Sequence, residues 1–354
     1  MVNGRVLDAD SPLSSPALAL WADRQREAPS DPPFQRHDVL MALRAIHAPD
    51  RRLTLAIGGG DAAGAMSILP CSFTRRRVGP LPFRLIEGPV GYHASAVDFA
   101  LSGGARSDHA TAVALLASDG WDLLEFRGVA ADSALARAFS ATDCAIVTDH
   151  DAHAVPLDGG PIMSTKRRRN LRRLLRRHET VSGGTITEAS PAEPDWPDII
   201  QAYAALHTAR WQGTSTPSSL ADPDVRQRFS RVLGGRGGPA GLFAVVLRTG
   251  GAISGVVLAW DDSAHVHAWR LAYDVALAPI SPGLQLLQHL AEVSASRGRS
   301  LMHLGRGDDE YKQSWTTTRV PQVIVRAVSA SARVRLAASV GRLFGRAPFA
   351  GWRR

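Results

Sequence analysis

From residue 34 onward the apolar positions of the chain change period several times, and each change marks an element. Residues 34–47 keep helical spacing, whereas 53–57 and 65–71 flank a glycine-rich turn and predict a hairpin. Residues 83–87 predict another strand, 107–117 a helix stopped at Asp119-Gly120, and 121–126 a further strand. The same succession returns downstream. Residues 242–248, 252–260 and 265–272, separated by Thr249-Gly250-Gly251 and Asp261-Asp262-Ser263, predict an antiparallel three-strand meander. An apolar helix over 284–296 and a strand over 301–304 complete the set. Leu53 corresponds to Leu242 and Trp121 to Leu301, so the chain reads as two copies of one unit about 185 residues apart.

The remaining stretches fit around these copies. Residues 1–33 are rich in Pro, Ser and Asp apart from a short amphipathic piece near Leu18 and Trp21, and read as a peripheral lead-in. Residues 141–160 read as a linker between an N-terminal half, 34–150, and a C-terminal half, 151–328. Residues 164–177 predict a helix capped by Ser164 or Thr165, with Met163, Leu171, Leu174, Leu175 and His178 on one side and arginines over the rest. A helix over 198–211 carries His207, Arg210 and Trp211 near its end. The tail, 329–354, alternates small apolar residues with arginine and predicts a basic amphipathic helix, packed on the body or touching a membrane surface.

Composition narrows the class. A chain of 354 residues suffices for two domains with substantial cores, and 45% hydrophobic with 21% charged residues is a globular balance. The longest apolar stretch, 242–260, is broken by Arg248 and glycines and is no membrane span. Asp8, Asp10 and prolines precede any apolar run, against a secretory leader, and two cysteines, Cys71 and Cys144, give no disulfide framework. A cytoplasmic location is expected. A net charge of +8 implies attraction to polyanions without choosing among nucleic acid, anionic lipid and a phosphorylated coenzyme. Of 41 basic residues only Lys166 and Lys312 are lysines, and an ammonium is not interchangeable with a guanidinium.

Candidate chemistry concentrates near the C-terminal helix. Ser281 is suited to cap it, Pro282 to take the first position, and Gly283 to keep the first turn free of a side chain. Such a start points backbone N–H groups and the positive end of the helix dipole at a phosphate or pyrophosphate. Asp308, Asp309, Glu310, Tyr311 and Lys312 follow the strand over 301–304. We expect Glu310 or Asp309 as base, Tyr311 as acid and Lys312 as a cation for a carbonyl or phosphate, with His267 and Tyr273 in reserve. No metal is expected. Asp149-His150-Asp151-Ala152-His153 reads as a solvated loop, and His265 and His267 share a strand face without third and fourth ligands. Gly235-x-Gly237-x-x-Ala240 precedes a strand rather than a helix, which excludes a dinucleotide fingerprint.

Meander, helix with an anion-ready start, and returning strand together resemble the core of GNAT acyltransferases. The closer resemblance is to the CelD-type branch, associated with cellulose biosynthesis and similar to the FemABX enzymes. Its marks are Ser281-Pro282-Gly283, the stretch from Gly305 to Lys312 closing on Trp315, Ser164-x-Lys166-x-Arg168-x-x-Leu171-Arg172-Arg173, and Arg210-Trp211. The resemblance implies an α+β fold of tandem GNAT-like units, each a mixed central sheet flanked by helices, with a degenerate first half. It implies acetyl-CoA or another acyl-CoA as co-substrate, bound at Ser281, Pro282, Gly283 and Leu284. It further implies a substrate or anion site of Lys166, Arg167, Arg168, Arg210 and Trp211, the first three facing a cleft between the halves. The implied acceptor is a small molecule or saccharide of cell-envelope or exopolysaccharide synthesis, with no nucleic acid as partner. One departure stands out: where the family pattern has an aspartate before Leu304-Gly305, this chain has His303. Two alternatives remain. One is a FemABX-like transferase using aminoacyl-tRNA, favoured by the arginine-rich helix but lacking the long coiled-coil arm of that class; the other is a non-catalytic polyanion-binding module.

Overall fold

The computed structural model describes residues 3–10, 14–27, 32–59, 66–78, 81–90, 97–159, 162–235, 238–307, 309–312, 315 and 318–343. Two compact units account for the chain: residues 1–151 with 320–354, and residues 152–319. Elements are numbered along the whole chain.

In unit 1, β1 (Asn3–Asp8) is followed by helices α1 (Ser15–Glu27) and α2 (His37–His47) and by the meander β2 (Leu53–Gly59), β3 (Met66–Val78) and β4 (Leu81–Glu87). Helix α3 (Ala105–Ala117) then carries the chain across to β5 (Leu123–Ala130), which runs parallel to β4. Helix α4 (Ala134–Ser140) is capped by the Ser133 hydroxyl, which accepts from the Ala136 N–H, and leads to β6 (Ala145–Thr148). Ala112 and Leu115 of α3 pack with Ile86, Leu124 and Phe126 in the core, which is what fixes α3 on the sheet.

Unit 2 repeats the plan. It comprises β7 (Ala152–Pro156), α5 (Thr165–Ser182), β8 (Thr185–Ala189), α6 (Trp196–Trp211), α7 (Pro223–Leu233), β9 (Leu242–Thr249), β10 (Ala252–Asp261), β11 (His265–Tyr273), α8 (Pro282–Ser296), β12 (Leu301–Arg306) and β13 (Thr318–Val320). The chain closes with β14 (Gln322–Val328) and α9 (Ala332–Leu343). Strand order is β1-β2-β3-β4-β5-β14-β6 in one sheet and β13-β7-β12-β11-β10-β9-β8 in the other. In both, an antiparallel meander is followed by a helix and a strand parallel to the meander's last, β5 on β4 and β12 on β11. The fold is α+β, with two mixed sheets flanked by helices. In unit 2, Leu286, Leu287, Leu290 and Ala291 recur at helical spacing on α8 and bury against Val245, Leu247 and Val257.

Three segments differ from their sequence reading. Within the stretch read as a peripheral lead-in, β1 pairs with β2 from Asn3↔Gly59 to Asp8↔Thr54, and Trp21 is 1% exposed with its indole N–H on the Gln35 carbonyl. The Pro, Ser and Asp content of that stretch hid a strand whose stability comes from pairing rather than from its own pattern. The stretch read as a linker holds β6 and β7, with Cys144 and His153 buried. Residues 322–328, expected with the C-terminal half, form β14, which completes the sheet of unit 1 between β5 and β6. Helix α9 packs on unit 1, with Val334 and Ala337 against Phe83, Leu85 and Leu123.

Candidate functional site

The start of α8 is shaped by the turn before it. Val275–Ile280 forms a short 3-10 turn whose N-cap, Asp274, accepts from the Ala276 N–H, and the turn ends at Ser281 with φ 55° and ψ 52°. The Ser281 N–H donates to the Ala278 carbonyl at 2.9 Å, while its carbonyl accepts from Leu284 and Gln285 at 3.1 and 3.2 Å. Ser281 therefore caps α8 through its backbone, and its hydroxyl makes no capping hydrogen bond. The hydroxyl cap expected from sequence needs an extended N-cap backbone, which the left-handed turn replaces. Pro282 has no N–H, so Gly283 supplies the first backbone donor of the helix. Gly283 is buried, and a Cβ there would lie 3.1 Å from both Leu271 Cδ2 and Tyr273 Cε1. Leu284, next along, packs half-buried on the core of unit 2.

Tyr273 links this helix start to α6. The Arg210 guanidinium sits 4.5 Å from the Tyr273 ring centroid and 5.8 Å from that of Trp211. Tyr203, His207 and Trp211, four residues apart, form a ladder of rings along α6 with centroid separations of 5.5 and 6.2 Å. His207 Nδ1 is 2.7 Å from the Ser218 hydroxyl. Burial, then the charges of Arg270 and Arg210, push its pKa down to about 4, so the ring is neutral at pH 7. In the sequence His207 is marked only by the spacing His-x-x-Arg-Trp, which gives it no role.

The loop after β12 is built around Lys312. Gly305 and Gly307 have φ of 74° and 93°, a region glycine enters without strain. Their carbonyls, with that of Arg306, accept from the Lys312 ammonium, at 3.3 Å for Gly305 and 3.0 Å for Gly307, and the Asp309 carboxylate lies 3.1 Å away. Lys312 is 2% exposed, so its ammonium serves the loop, a structural use not anticipated from sequence. Asp309 and Glu310 are exposed, and Asp308 lies outside the described residues. Burial and the Asp309 charge push the pKa of Tyr311 up to about 12, against the opposing pull of Arg210. Trp315 is core, buried with Leu286 and Leu290.

Between these elements the sheet opens. The parallel ladder of β11 and β12 covers only His265–His267 against Leu301–His303, although β11 continues to Tyr273 and β12 to Arg306. At the junction His303 stacks on His267, with centroids 4.5 Å apart and planes at 13°, and meets His265 edge-on at 5.3 Å. Burial, then the neighbouring His267 and His265, push the pKa of His303 down to about 3.

Helix α5 packs beside the 275–280 turn and α8 through buried Leu171, and Arg172 lies 3.8 Å from Glu292 of α8. The Ser164 hydroxyl accepts from the Arg167 N–H at 3.3 Å, as expected of a cap. Lys166, Arg169, Arg172, Arg173, Arg176 and Arg177 are exposed, and Arg167 and Arg168 half-buried. Of the residues predicted from sequence, the structure brings Gly283 and Arg210 to Tyr273, with Trp211 against Arg210, and sets α5 beside the 275–280 turn. It leaves Asp309 and Glu310 on the exposed side of their loop. A cavity of about 1020 Å³ in unit 1, lined by His109, Asp119, Trp121 and Asp143 among others, holds none of the predicted residues.

The half-built parallel pair, the helix start beside an arginine and the glycine-rich loop all fall within one stretch that resembles a known domain. Residues 165–313 match the family model of the acetyltransferase (GNAT) domain. Among solved structures the chain is similar to FemX, at 9% identity over 90% of this chain and 98% of that one, with a TM-score of 0.58. It is also similar to the C-terminal domain of a protein described as a lysylphosphatidylglycerol synthetase from Agrobacterium fabrum, at 13% identity, coverage of 92% and 97%, and TM-score 0.57. A third is the L-PGS structure from Bacillus licheniformis, at 14% identity, coverage of 96% and 98%, and TM-score 0.56. These likenesses concern the fold. No curated protein matches the chain. Among the described residues no helix is long and apolar enough to cross a membrane.

Proposed function

We propose that the protein transfers an acyl group from acetyl-CoA or another acyl-CoA to an amine or hydroxyl of a cell-envelope or exopolysaccharide precursor, in the manner of CelD-type acyltransferases. The observation that carries this reading is the meeting of the α8 start at Gly283 with Arg210 at Tyr273, the far end of the gap between β11 and β12. A helix N-terminus with a guanidinium beside it suits a pyrophosphate. From His267 to Tyr273 the strand runs about 20 Å, and an extended pantetheine arm, which carries two amides, suits an unpaired strand edge of that kind. The thioester would then lie toward the junction of the strands. Lys166, Arg167 and Arg168 on α5 add positive charge for the anionic parts of either substrate. The reading implies a cytoplasmic reaction, where acyl-CoA is made.

In the transfer, the acceptor nitrogen or oxygen attacks the thioester carbonyl carbon, the carbon–sulfur bond breaks, and the thiolate takes a proton. We assign the acceptor's proton to Glu310, because Asp309 is engaged by Lys312. Tyr311, protonated across the physiological range, gives the leaving sulfur its proton and regains one from Glu310 through solvent. Lys312 acts by holding the loop that presents both. A second donor, aminoacyl-tRNA, is favoured by the exposed arginines of α5.

The test follows both donors with the same protein: thiol release from acetyl-CoA in the presence of amino-sugar and polyol acceptors, and transfer of a labelled amino acid from charged tRNA. Acceptor-dependent thiol release supports the acyl-CoA reading. Transfer from tRNA with no thiol release overturns it in favour of the second donor.

A further inference from the structure

The three histidines at the β11–β12 junction take no part in the transfer just described. His265 and His267 stand on one face of β11, and the parallel register sets His303 directly opposite His267. One nitrogen from each lies within 4.8 Å of the others. Behind them is Asp262, 1% exposed, whose Oδ1 accepts from the Ala264 and His265 N–H groups at 3.0 and 2.6 Å. Its Oδ2 lies 2.8 Å from His267 Nε2 and 3.8 Å from His265 Nδ1.

Three polar rings brought together at a strand junction bury little apolar surface, so hydrophobic packing alone does not account for them. They come instead with the parts of a metal centre: ligands from two separate strands, a backbone framework fixed by sheet hydrogen bonds, and a carboxylate holding one imidazole from behind. We propose that His265, His267 and His303 bind one divalent transition-metal ion, with Zn²⁺ the best match to three imidazoles and an open fourth position. Thiolate-seeking and all-oxygen ions fit the donor set poorly. Metal–nitrogen bonds of about 2.0–2.1 Å require His303 to turn out of its stack on His267, a rotation of side chains on fixed strands. The ion ties β11 to β12 where their ladder ends. The aspartate of the CelD-type pattern would leave the site with two histidines.

The experiment uses chelator-stripped full-length protein titrated with Co²⁺ by visible absorption, then with Zn²⁺ as competitor, and with Mg²⁺ as control. The expected result is one equivalent of Co²⁺ with the strong visible bands of a four-coordinate ion, displaced by Zn²⁺ and unaffected by Mg²⁺. His303→Gln and His265→Gln should each weaken binding by about 100-fold or more, and Asp262→Asn by about 10- to 100-fold. His289→Gln, on α8, should leave it unchanged. His265 is half-exposed, so its variant keeps the test valid if His303→Gln folds poorly. Absence of stoichiometric binding by the wild type, or equal binding by His265→Gln, overturns the proposal. Either result is independent of the acyl-CoA reading, because no acyl donor is present.

Discussion

Lys312 is one of two lysines among 41 basic residues, and its ammonium is buried on the carbonyls of Gly305, Arg306 and Gly307. Replacing it with methionine leaves those carbonyls without their donor, and Lys312→Met should lower unfolding stability by about 2–4 kcal/mol in urea titrations. An unchanged midpoint would remove the loop-anchoring role. The sequence marked this lysine for chemistry because its rarity was visible, whereas the left-handed turns at Gly305 and Gly307 that aim carbonyls at it were not. His207 carries a pH signature. Its folded pKa, near 4, lies below the ordinary 6.5, so the unfolded chain takes up the proton first as pH falls. The stability gained from keeping it neutral is complete above about pH 6.5 and is lost toward about pH 4. After allowance for solvent screening this amounts to about 1–2 kcal/mol. Thermal midpoints between pH 7.5 and 5 should fall less steeply for His207→Gln than for the wild type.

At the scale of elements, the account rests on α8 and what touches its start. Gly283→Ala would set a methyl 3.1 Å from Leu271 and Tyr273, so the Tyr273 ring under Arg210 must shift. We expect KM for the acyl donor to rise by about tenfold with kcat little changed, because the change affects binding remote from the reacting carbonyl. A fall in kcat at constant KM would contradict that placement. The Ser-Pro-Gly signal announced where α8 begins, since it follows from local chemistry. It did not announce that Ser281 would cap by backbone, because that dihedral is set by the preceding 3-10 turn. The histidine cluster escaped for a related reason. His265 and His267 were visible as one strand face, but His303 joins them only through parallel pairing of strands joined by α8.

For the whole molecule, the repeat of meander, helix and parallel strand was legible because each copy carries its own periodicity. The division of the chain was not, because it depends on one strand changing sheets. β14 comes from beyond unit 2 and lies between β5 and β6 of unit 1, where Arg326 pairs with Glu125 at 2.8 Å. Burial alone would raise the pKa of Glu125, but hydrogen bonding and charge from Arg127, with Arg76 and Arg326, leave it below its ordinary range. A chain ended at Arg319 loses β14 and with it the neighbour of β6. Such a chain should lose the cooperative unfolding of unit 1 in urea and become open to proteolysis there; a preserved transition would contradict the assignment of β14. If α8 with Arg210 receives the pyrophosphate of an acyl-CoA, the ligand should stabilise the protein against heat. At about a hundred times its dissociation constant, acetyl-CoA should add about 2.7 kcal/mol and raise the midpoint by a few degrees. The wild type should show that shift, and Gly283→Asp and Arg210→Ala variants that still fold should lose it. No shift of the wild type with acetyl-, longer acyl- or free coenzyme A at low salt would contradict that placement of the pyrophosphate.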